Sequence, residues 1–240
     1  MLLNYNLKYI HELDAALIER LFVLMDQNYN CVSFVAFTND LANKQLIGLL
    51  KDETGEIQGF TTFAINPCNT GTAEYNILFS GDTIIAPAFW GTQELAKGWC
   101  KTVGGLIAGS PQKKWYWFLL SKGHRTYMYL PLFFEKYYPA FDKNVEDDLF
   151  PIVNSCADAM YGSSWKPQDG VIRFEESHGE LKDEFSKTTK KNKHTQFFLE
   201  RNPHFYKGDE LTCMADLSVD NFKRFTQNAV LEGAQHLIFI

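Results

Sequence analysis

One short run of residues constrains the fold more than any other part of the chain. The segment KKWYWFLL, residues 113–120, is aromatic or apolar at every position after its two lysines. Such a run is expected of a central β-strand covered on both faces, because a half-exposed strand would alternate apolar and polar side chains. The sequence therefore predicts an α/β protein in which helices pack on both sides of a sheet.

The residues before this strand predict helices first and then strands. The segment around 11–28 carries leucines at the three-to-four spacing of an amphipathic helix, and a second, shorter helix is expected around 34–41. A hairpin follows, with its turn at DETG (52–55), and then a third strand in which Gly81 and Asp82 indicate a bulge or bend. The order of elements is therefore two helices followed by three strands.

Two helices are predicted on either side of the central strand. The first runs from Phe89 to about Leu106 and is expected to end at the Gly104–Gly105 pair. The second is MYLPLFFEKYY, closed by Pro139. Together with the preceding elements, these segments fill residues 1–148 with one α/β unit.

Beyond residue 148 the pattern is less regular. A strand is predicted at GVIRFEES (170–177), a long polar helix over 180–201, another strand at DELTCMADL (209–217), and a helix with Ser218 as its N-cap. No linker separates this part from the first. Residues 149–240 are therefore expected to form an α+β extension packed on the first unit.

Composition and charge exclude several classes of function. The net charge of −6 and the sequence pI of about 5.5 disfavour binding to nucleic acid or to an anionic membrane. The five cysteines are scattered without metal-ligand spacing, and the acidic run DKNVEDDLF (142–150) is interpreted as a solvated turn. The first residues do not resemble a signal peptide, and no apolar stretch approaches the ~20 residues of a membrane span. A cytoplasmic protein without a metal is expected.

Three segments resemble those of a known family. IIAPAFWGTQEL (84–95) resembles a strand that ends in V-x-P and leads through a glycine-rich turn into a helix, LPLFFEKYYPAF (130–141) resembles a later helix, and DETGEIQGF (52–60) resembles a family hairpin. With the order of elements, these segments make the first 140 residues similar to the acyl-CoA N-acyltransferase (GNAT) superfamily. The resemblance implies a mixed, mostly antiparallel central sheet flanked by helices.

The resemblance also implies a site for acetyl-CoA or another acyl-CoA. In the family, a glycine-rich loop binds the diphosphate with backbone amides at a helix N-terminus. Only Gly91 matches those glycines here, and Glu94 places a carboxylate where a diphosphate would lie. The donor is therefore held in an altered geometry, or differs from the usual one, or no longer binds. The residues implied for binding it are Ile85, Ala86, Trp90, Gly91, Thr92, Gln93, Ser121 and Lys122.

Four residues are candidates for proton transfer during acyl transfer. The resemblance places a base at Glu74, and His124 just after the central strand is the alternative; an exposed charge and a structural histidine are the simpler interpretations. Phe134 stands where the family often has a tyrosine that protonates the departing thiolate. Four tyrosines close in sequence could supply the hydroxyl, and the first two are preferred: Tyr127, Tyr129, Tyr137 and Tyr138. Tyrosines of this kind more often serve packing.

The leading hypothesis is an N-acyltransferase that moves an acetyl or longer acyl group from a CoA thioester to a small-molecule amine. One alternative is a binding or scaffold protein that keeps the fold and has lost the donor site. Another is an acyltransferase whose donor is an acyl carrier protein or an aminoacyl species. An acidic carrier protein would be attracted by a basic cluster that is otherwise the solvated face of a helix. The cluster consists of Lys187, Lys190, Lys191, Lys193 and His194.

Overall fold

A computed structural model describes residues 2–69, 74–141, 146–175, 180–181 and 192–240. These residues form an eight-stranded sheet and a separate two-stranded sheet, with helices on both faces of the larger sheet. The strands are β1 (Asn4–Tyr9), β2 (Tyr29–Asn30), β3 (Leu46–Lys51), β4 (Ile57–Asn69), β5 (Glu74–Ile85), β6 (Lys114–Ser121), β7 (Trp165–Lys166), β8 (Val171–Ile172), β9 (Glu180–Leu181) and β10 (Glu210–Asp216).

The larger sheet has the order β1-β3-β4-β5-β6-β10-β8-β7, and β2 pairs with β9 in the smaller one. Its pairings are antiparallel, with the exception of β5 and β6, which run parallel. The fold class expected from the sequence, a mixed and mostly antiparallel sheet flanked by helices, is therefore confirmed. Strands from both sides of residue 148 join this one sheet, while the division into a domain and an extension stays a prediction.

Helices cover the sheet on both sides, and none in the described part of the chain is both long and apolar enough to cross a bilayer. The helices are α1 (Ala15–Asn28), α2 (Phe34–Ala42), α3 (Glu94–Gly109), α4 (His124–Tyr127), α5 (Tyr129–Phe133), α6 (Glu146–Tyr161), α7 (Lys193–Arg201) and α8 (Arg224–Gly233).

The central strand β6 contributes to two cores. Trp115, Trp117 and Leu119 pack in the core that holds α3, α5, α7 and α8. Tyr116 and Phe118 point to the other face, where α6 covers them. Beside α6 on that second face, α1 and α2 cover β3, β4 and β5. Burial of alternate side chains on opposite faces explains why this segment is apolar at every position.

The Gly104–Gly105 pair does not end α3, which continues to Gly109. A Cβ atom at Gly104 would overlap the carbonyl oxygen of Val230 in α8, and one at Gly105 would lie 2.9 Å from the side chain of Ile238. Gly104 therefore permits close packing against α8 and Gly105 against the segment that follows it, which a local pattern cannot distinguish from a helix end.

Three further expectations about helices are wrong. The helix predicted through 128–138 ends at Phe133, because the following residues are extended and Tyr138 bridges to Met214 of β10. Ser218 precedes a short 3-10 turn, and α8 begins only at Arg224. The acidic run 142–150 is not the predicted turn, because its residues 146–150 lie within α6, while 142–145 lie outside the described residues.

Candidate functional site

The parallel strands β5 and β6 separate towards their carboxyl ends. Their pairing begins at Tyr75 and Lys114 and stops at Phe79 and Phe118. Beyond these residues each strand continues with a partner on its outer side only, β4 for β5 and β10 for β6. We call the gap between residues 80–85 and 119–121 the fork.

A bulge in β5 helps to form the fork. Phe63 of β4 pairs with Ser80 and Thr61 pairs with Thr83, so that Gly81 and Asp82 together face a single residue of β4. Such an insertion bends the strand that contains it. The bulge or bend expected from the sequence at these two residues is confirmed. A Cβ at Gly81 would lie 2.6 Å from the Thr62 hydroxyl, which explains the glycine.

One face of the fork is an apolar cleft beneath α3, α4 and α5. Its enclosed free space is about 30 Å³, enough for one or two water molecules. Most of the side chains that line it are apolar or aromatic. The side chains around it include Ser80, Thr83, Trp99, Trp117, Tyr129 and Phe133.

Two tryptophans close this cleft by sharing one acceptor. The indole N–H groups of Trp99 and Trp117 each donate a hydrogen bond of 2.9 Å to the hydroxyl oxygen of Ser80. The two rings lie 4.5 Å apart, centroid to centroid. A hydroxyl oxygen has two lone pairs, so Ser80 can satisfy both donors. We call these three residues the tryptophan plug.

The opposite face of the fork is charged. Asp82 points to this side, because side chains alternate along a strand and the adjacent Thr83 borders the apolar cleft. Two ion pairs flank it. Lys44 binds Asp40 of α2 at 2.9 Å, and Lys122 at the end of β6 binds Glu210 of β10 at 3.3 Å.

The surroundings of Asp82 favour its protonated form. Burial, followed by repulsion from Asp40, raises its pKa from 3.8 to about 6, although attraction to Lys44 and Lys122 opposes the rise. Burial also raises the pKa of the nearby Tyr29 well above its ordinary value. A carboxylate with a pKa of about 6 can accept a proton near neutral pH and release it again.

At the mouth of the cleft, a turn leads from β5 into α3. Gly91 adopts a φ of +94°, a left-handed conformation that glycine tolerates readily. The indole N–H of Trp90 donates to the Ile85 carbonyl at 2.8 Å, which fixes the ring across the turn. The guanidinium carbon of Arg125, from α4, lies 3.9 Å from the centre of that ring. A cation is thereby held beside the N-terminus of α3.

The carboxylate of Glu94, which the sequence placed against a diphosphate, is paired with a lysine of the same helix. Glu94 forms an ion pair of 2.9 Å with Lys97, and its own N–H donates to the Thr92 hydroxyl at 3.3 Å. The N-cap residue Gln93 gives α3 no side-chain cap. The next amides of the helix therefore remain free of a capping side chain, as an anion site requires.

The structure places the residues implied for donor binding in two groups. Ile85, Trp90, Gly91, Thr92 and Gln93 form the turn at the mouth of the cleft, while the N–H of Ala86 is bonded to the Gln58 carbonyl at 2.8 Å. Ser121 and Lys122 lie away from this turn. Ser121 is fully buried at the end of β6, and the ammonium of Lys122 pairs with Glu210 on the charged face.

The four residues proposed for proton transfer do not converge. Glu74 is exposed at the start of β5, and the six residues to Ser80 correspond to about 20 Å of strand. The hydroxyl of Tyr127 is buried and donates to the Pro139 carbonyl at 2.9 Å, and His124 is buried at the start of α4. Only Tyr129 borders the cleft.

Two charged residues at the fork, Asp82 and Arg125, are absent from the sequence-based set. Asp82 has a local signal, since a carboxylate beside a glycine interrupts an apolar strand. Arg125 has none, because its position depends on a contact with Trp90, 35 residues earlier in the chain.

No protein-family model and no curated protein matches the sequence. Solved structures with a similar arrangement include a probable N-acyltransferase from Enterococcus faecalis V583, with 11% identity, a TM-score of 0.42 and coverage of 56% of this chain and 33% of that one. Arabidopsis thaliana NAA60 in complex with acetyl-CoA has 12% identity, a TM-score of 0.40 and coverage of 58% and 90%. Escherichia coli ElaA has 15% identity, a TM-score of 0.37 and coverage of 59% and 90%.

This chain thus spans about a third of the length of the Enterococcus protein. The assignment of a GNAT-like fold rests on its own topology: antiparallel strands lead into one parallel pair, and that pair opens beside the N-terminus of a helix.

Proposed function

We propose that the chain is an N-acyltransferase in which an acyl-CoA and an amine meet in the fork. The fork itself carries this proposal, because an apolar cleft lies on one face of it and the carboxylate of Asp82 lies on the other. A thioester can approach from the first face and an amine from the second. Acyl transfer needs this arrangement, since the two reactants must be held in contact and screened from water.

The mouth of the cleft suits the diphosphate of the donor. After Glu94, whose N–H is bonded to Thr92, the first turn of α3 offers backbone N–H groups without a capping side chain, and Gly91 leaves room for an anion to approach the backbone. Arg125 adds a guanidinium, whose fork of donors matches phosphate oxygens. Lys97 neutralises the nearby Glu94 and so reduces repulsion of an anion.

The chemical roles follow from the two faces. Asp82 accepts the proton that the amine loses as its nitrogen attacks the thioester carbonyl carbon. The carbon–sulfur bond then breaks, and Tyr129 donates its proton to the departing sulfur. Burial raises the pKa of Tyr129, and its hydroxyl makes no hydrogen bond within the described part of the chain, so it retains a proton to give. These roles replace those first assigned to Glu74, His124 and Tyr127.

The tryptophan plug limits the size of the acyl group. With about 30 Å³ of free space, the cleft accepts the pantetheine arm only if Trp99 and Trp117 move apart. Each further methylene requires more displacement of packed side chains. An acetyl group is therefore favoured over a long acyl chain.

Titration with acetyl-CoA tests the donor site directly. Both binding heat and tryptophan emission are expected to change and to saturate together at micromolar concentration, because the arm must displace the plug. Free CoA should give the same saturation, whereas acetate should not. If neither heat nor emission responds to acetyl-CoA or to a long-chain acyl-CoA, the proposal is overturned.

Replacement of Arg125 by Gln is expected to weaken acetyl-CoA binding about tenfold. The reason is the loss of a charge-assisted contact of ~1.5–3 kcal/mol, reduced by its exposure to solvent. Isothermal titration measures the change. Arg224→Gln, at an exposed position that begins α8, is the matched control and should bind like the parent protein. Equal affinities for Arg125→Gln and the parent would place the diphosphate elsewhere.

A second candidate function, a binding protein without catalysis, is favoured by the plug itself. Trp99, Trp117 and Phe134 are in mutual contact and fill the space that a donor would use. The titration separates this candidate from the first, since a permanently filled cleft would give no response. The acyl-carrier alternative stays a prediction, because Lys187, Lys190 and Lys191 of the basic cluster lie outside the described residues.

A further inference from the structure

A second cavity lies away from the fork, between the loop after α7 and the β7–β8 turn. Its volume is about 710 Å³, and its wall is mostly polar. Such a volume is typical of sites for small molecules. Gln168, Arg173, Arg201, Asn202, His204 and Lys207 belong to its wall.

Two orphaned polar atoms lie in this wall. The described residues contain four buried side-chain atoms that have no hydrogen-bond partner, and two of them are Nε of Arg201 and Oδ1 of the adjacent Asn202. Both atoms are shielded from bulk solvent. Leaving such a group unpaired costs ~1–3 kcal/mol, and more when the group is charged. Their proximity in one wall indicates a position built for a ligand rather than for stability.

The other carboxylates of the cavity do not neutralise Arg201. Asp209 is 5% exposed and binds Arg173 through both carboxylate oxygens, at 3.0–3.1 Å from Nε and 2.7 Å from Nη2. Asp169 is 3.4 Å from Nη1 of the same arginine. Within the described part of the chain, neither Arg201 nor Glu200, the third carboxylate of the wall, forms an ion pair, and Lys207 adds a positive charge to the cavity.

The guanidinium of Arg201 lies against the β7–β8 turn. Gly170, in a left-handed conformation with φ of +72°, passes so close that a Cβ there would lie 3.1 Å from Nη2 of Arg201 and 3.4 Å from the Tyr138 hydroxyl. The side chain of Asn202 is anchored, since its Nδ2 donates to the Asp209 carbonyl at 2.8 Å. Its Oδ1 is buried, so this oxygen becomes accessible to a ligand only when the side chain rotates slightly towards the cavity.

We propose that this cavity binds a small oxyanion, a carboxylate or phosphate, that also carries a hydroxyl group. The oxyanion would pair with Arg201, and the hydroxyl would donate to Oδ1 of Asn202 after a small rotation of that side chain. The bidentate geometry of guanidinium suits both carboxylate and phosphate. The site is independent of the fork and of acyl transfer.

Isothermal titration with citrate and, separately, with inorganic phosphate tests this site. Saturable binding of either anion at millimolar Kd or tighter is expected, and the stronger of the two identifies the oxyanion. Erythritol, which has hydroxyls and no charge, should not bind. Absence of saturable binding by both anions overturns the proposal.

Arg201→Gln should weaken binding of the tighter-binding anion at least tenfold. Arg224→Gln on the surface should leave the affinity for that anion unchanged. Without ligand, the Arg201→Gln protein should melt no lower than the parent protein, because an uncompensated charge has been removed. If this variant fails to fold, Lys207→Gln serves instead and should weaken binding two- to threefold. Parent-like affinity in the variant that is used would refute the site.

Discussion

An Asp82→Asn variant is expected to lose at least 100-fold in kcat/KM for acetyl transfer and to become more stable above pH 6. Removal of a general base costs typically 10²–10⁴-fold in rate. Asparagine keeps the shape of the side chain and cannot take up the proton of the amine. Steady-state kinetics with acetyl-CoA and a panel of primary amines measures the loss.

The Asp82→Asn substitution should also change how the free energy of unfolding depends on pH. Because the pKa of Asp82 is raised from 3.8 to about 6 in the fold, its contribution to stability is complete below about pH 3.8 and is lost as the pH rises through 6. Asparagine avoids that loss. The free energy of unfolding at pH 8 should therefore exceed that of the parent by about 1–2 kcal/mol, after allowance for partial exposure of the side chain. The difference should vanish near pH 4.

Glu74→Gln is the matched control for both measurements. Glu74 lies on the same strand, is exposed and stands at the far end from the fork. It should show parent-like kinetics, and kcat/KM should rise through about pH 6 as in the parent. If Glu74→Gln loses activity and Asp82→Asn does not, the base lies at the other end of β5 and the roles proposed for the fork are wrong.

The features that the sequence predicts well are those decided locally. The apolar run of β6 predicts a central strand without knowledge of the elements that cover it, because burial on both faces requires an apolar side chain at every position. The bulge at Gly81 is also local, since the glycine interrupts an otherwise apolar strand. The hairpin turn at 52–55 needs only its own residues.

The features that the sequence misses depend on distant partners. Gly104 looks like a helix end until Val230 is seen against it. The bulge that moves Asp82 to the charged face adds one residue to β5, so the position of a base cannot be counted along the strand. Arg125 reaches the turn only because α4 and the β5–α3 turn meet across the fork. The sequence does not predict α6, because this helix begins with acidic residues and contains Pro151.

A Ser80→Ala variant is expected to lower the free energy of unfolding by about 2–5 kcal/mol. The change removes the shared acceptor of two buried indole N–H groups, and each unsatisfied buried donor costs ~1–3 kcal/mol. Urea denaturation followed by circular dichroism measures the loss independently of tryptophan emission. Ser121→Ala is the matched control, because Ser121 is buried on the adjacent strand and, among the described residues, its hydroxyl bonds only to the Cys213 thiol at 3.8 Å. Its cost should stay below about 1 kcal/mol.

The same variant separates a closed cleft from a permanently filled one. If acetyl-CoA binds by displacing Trp99 and Trp117, loss of the Ser80 acceptor destabilises the closed state and should tighten acetyl-CoA binding severalfold while the protein becomes less stable. A loss of stability together with a gain in acetyl-CoA affinity is expected only if the ligand must displace the tryptophan plug. A variant that loses stability and gains no affinity would show that the tryptophans serve the core alone, and would favour the binding protein without catalysis.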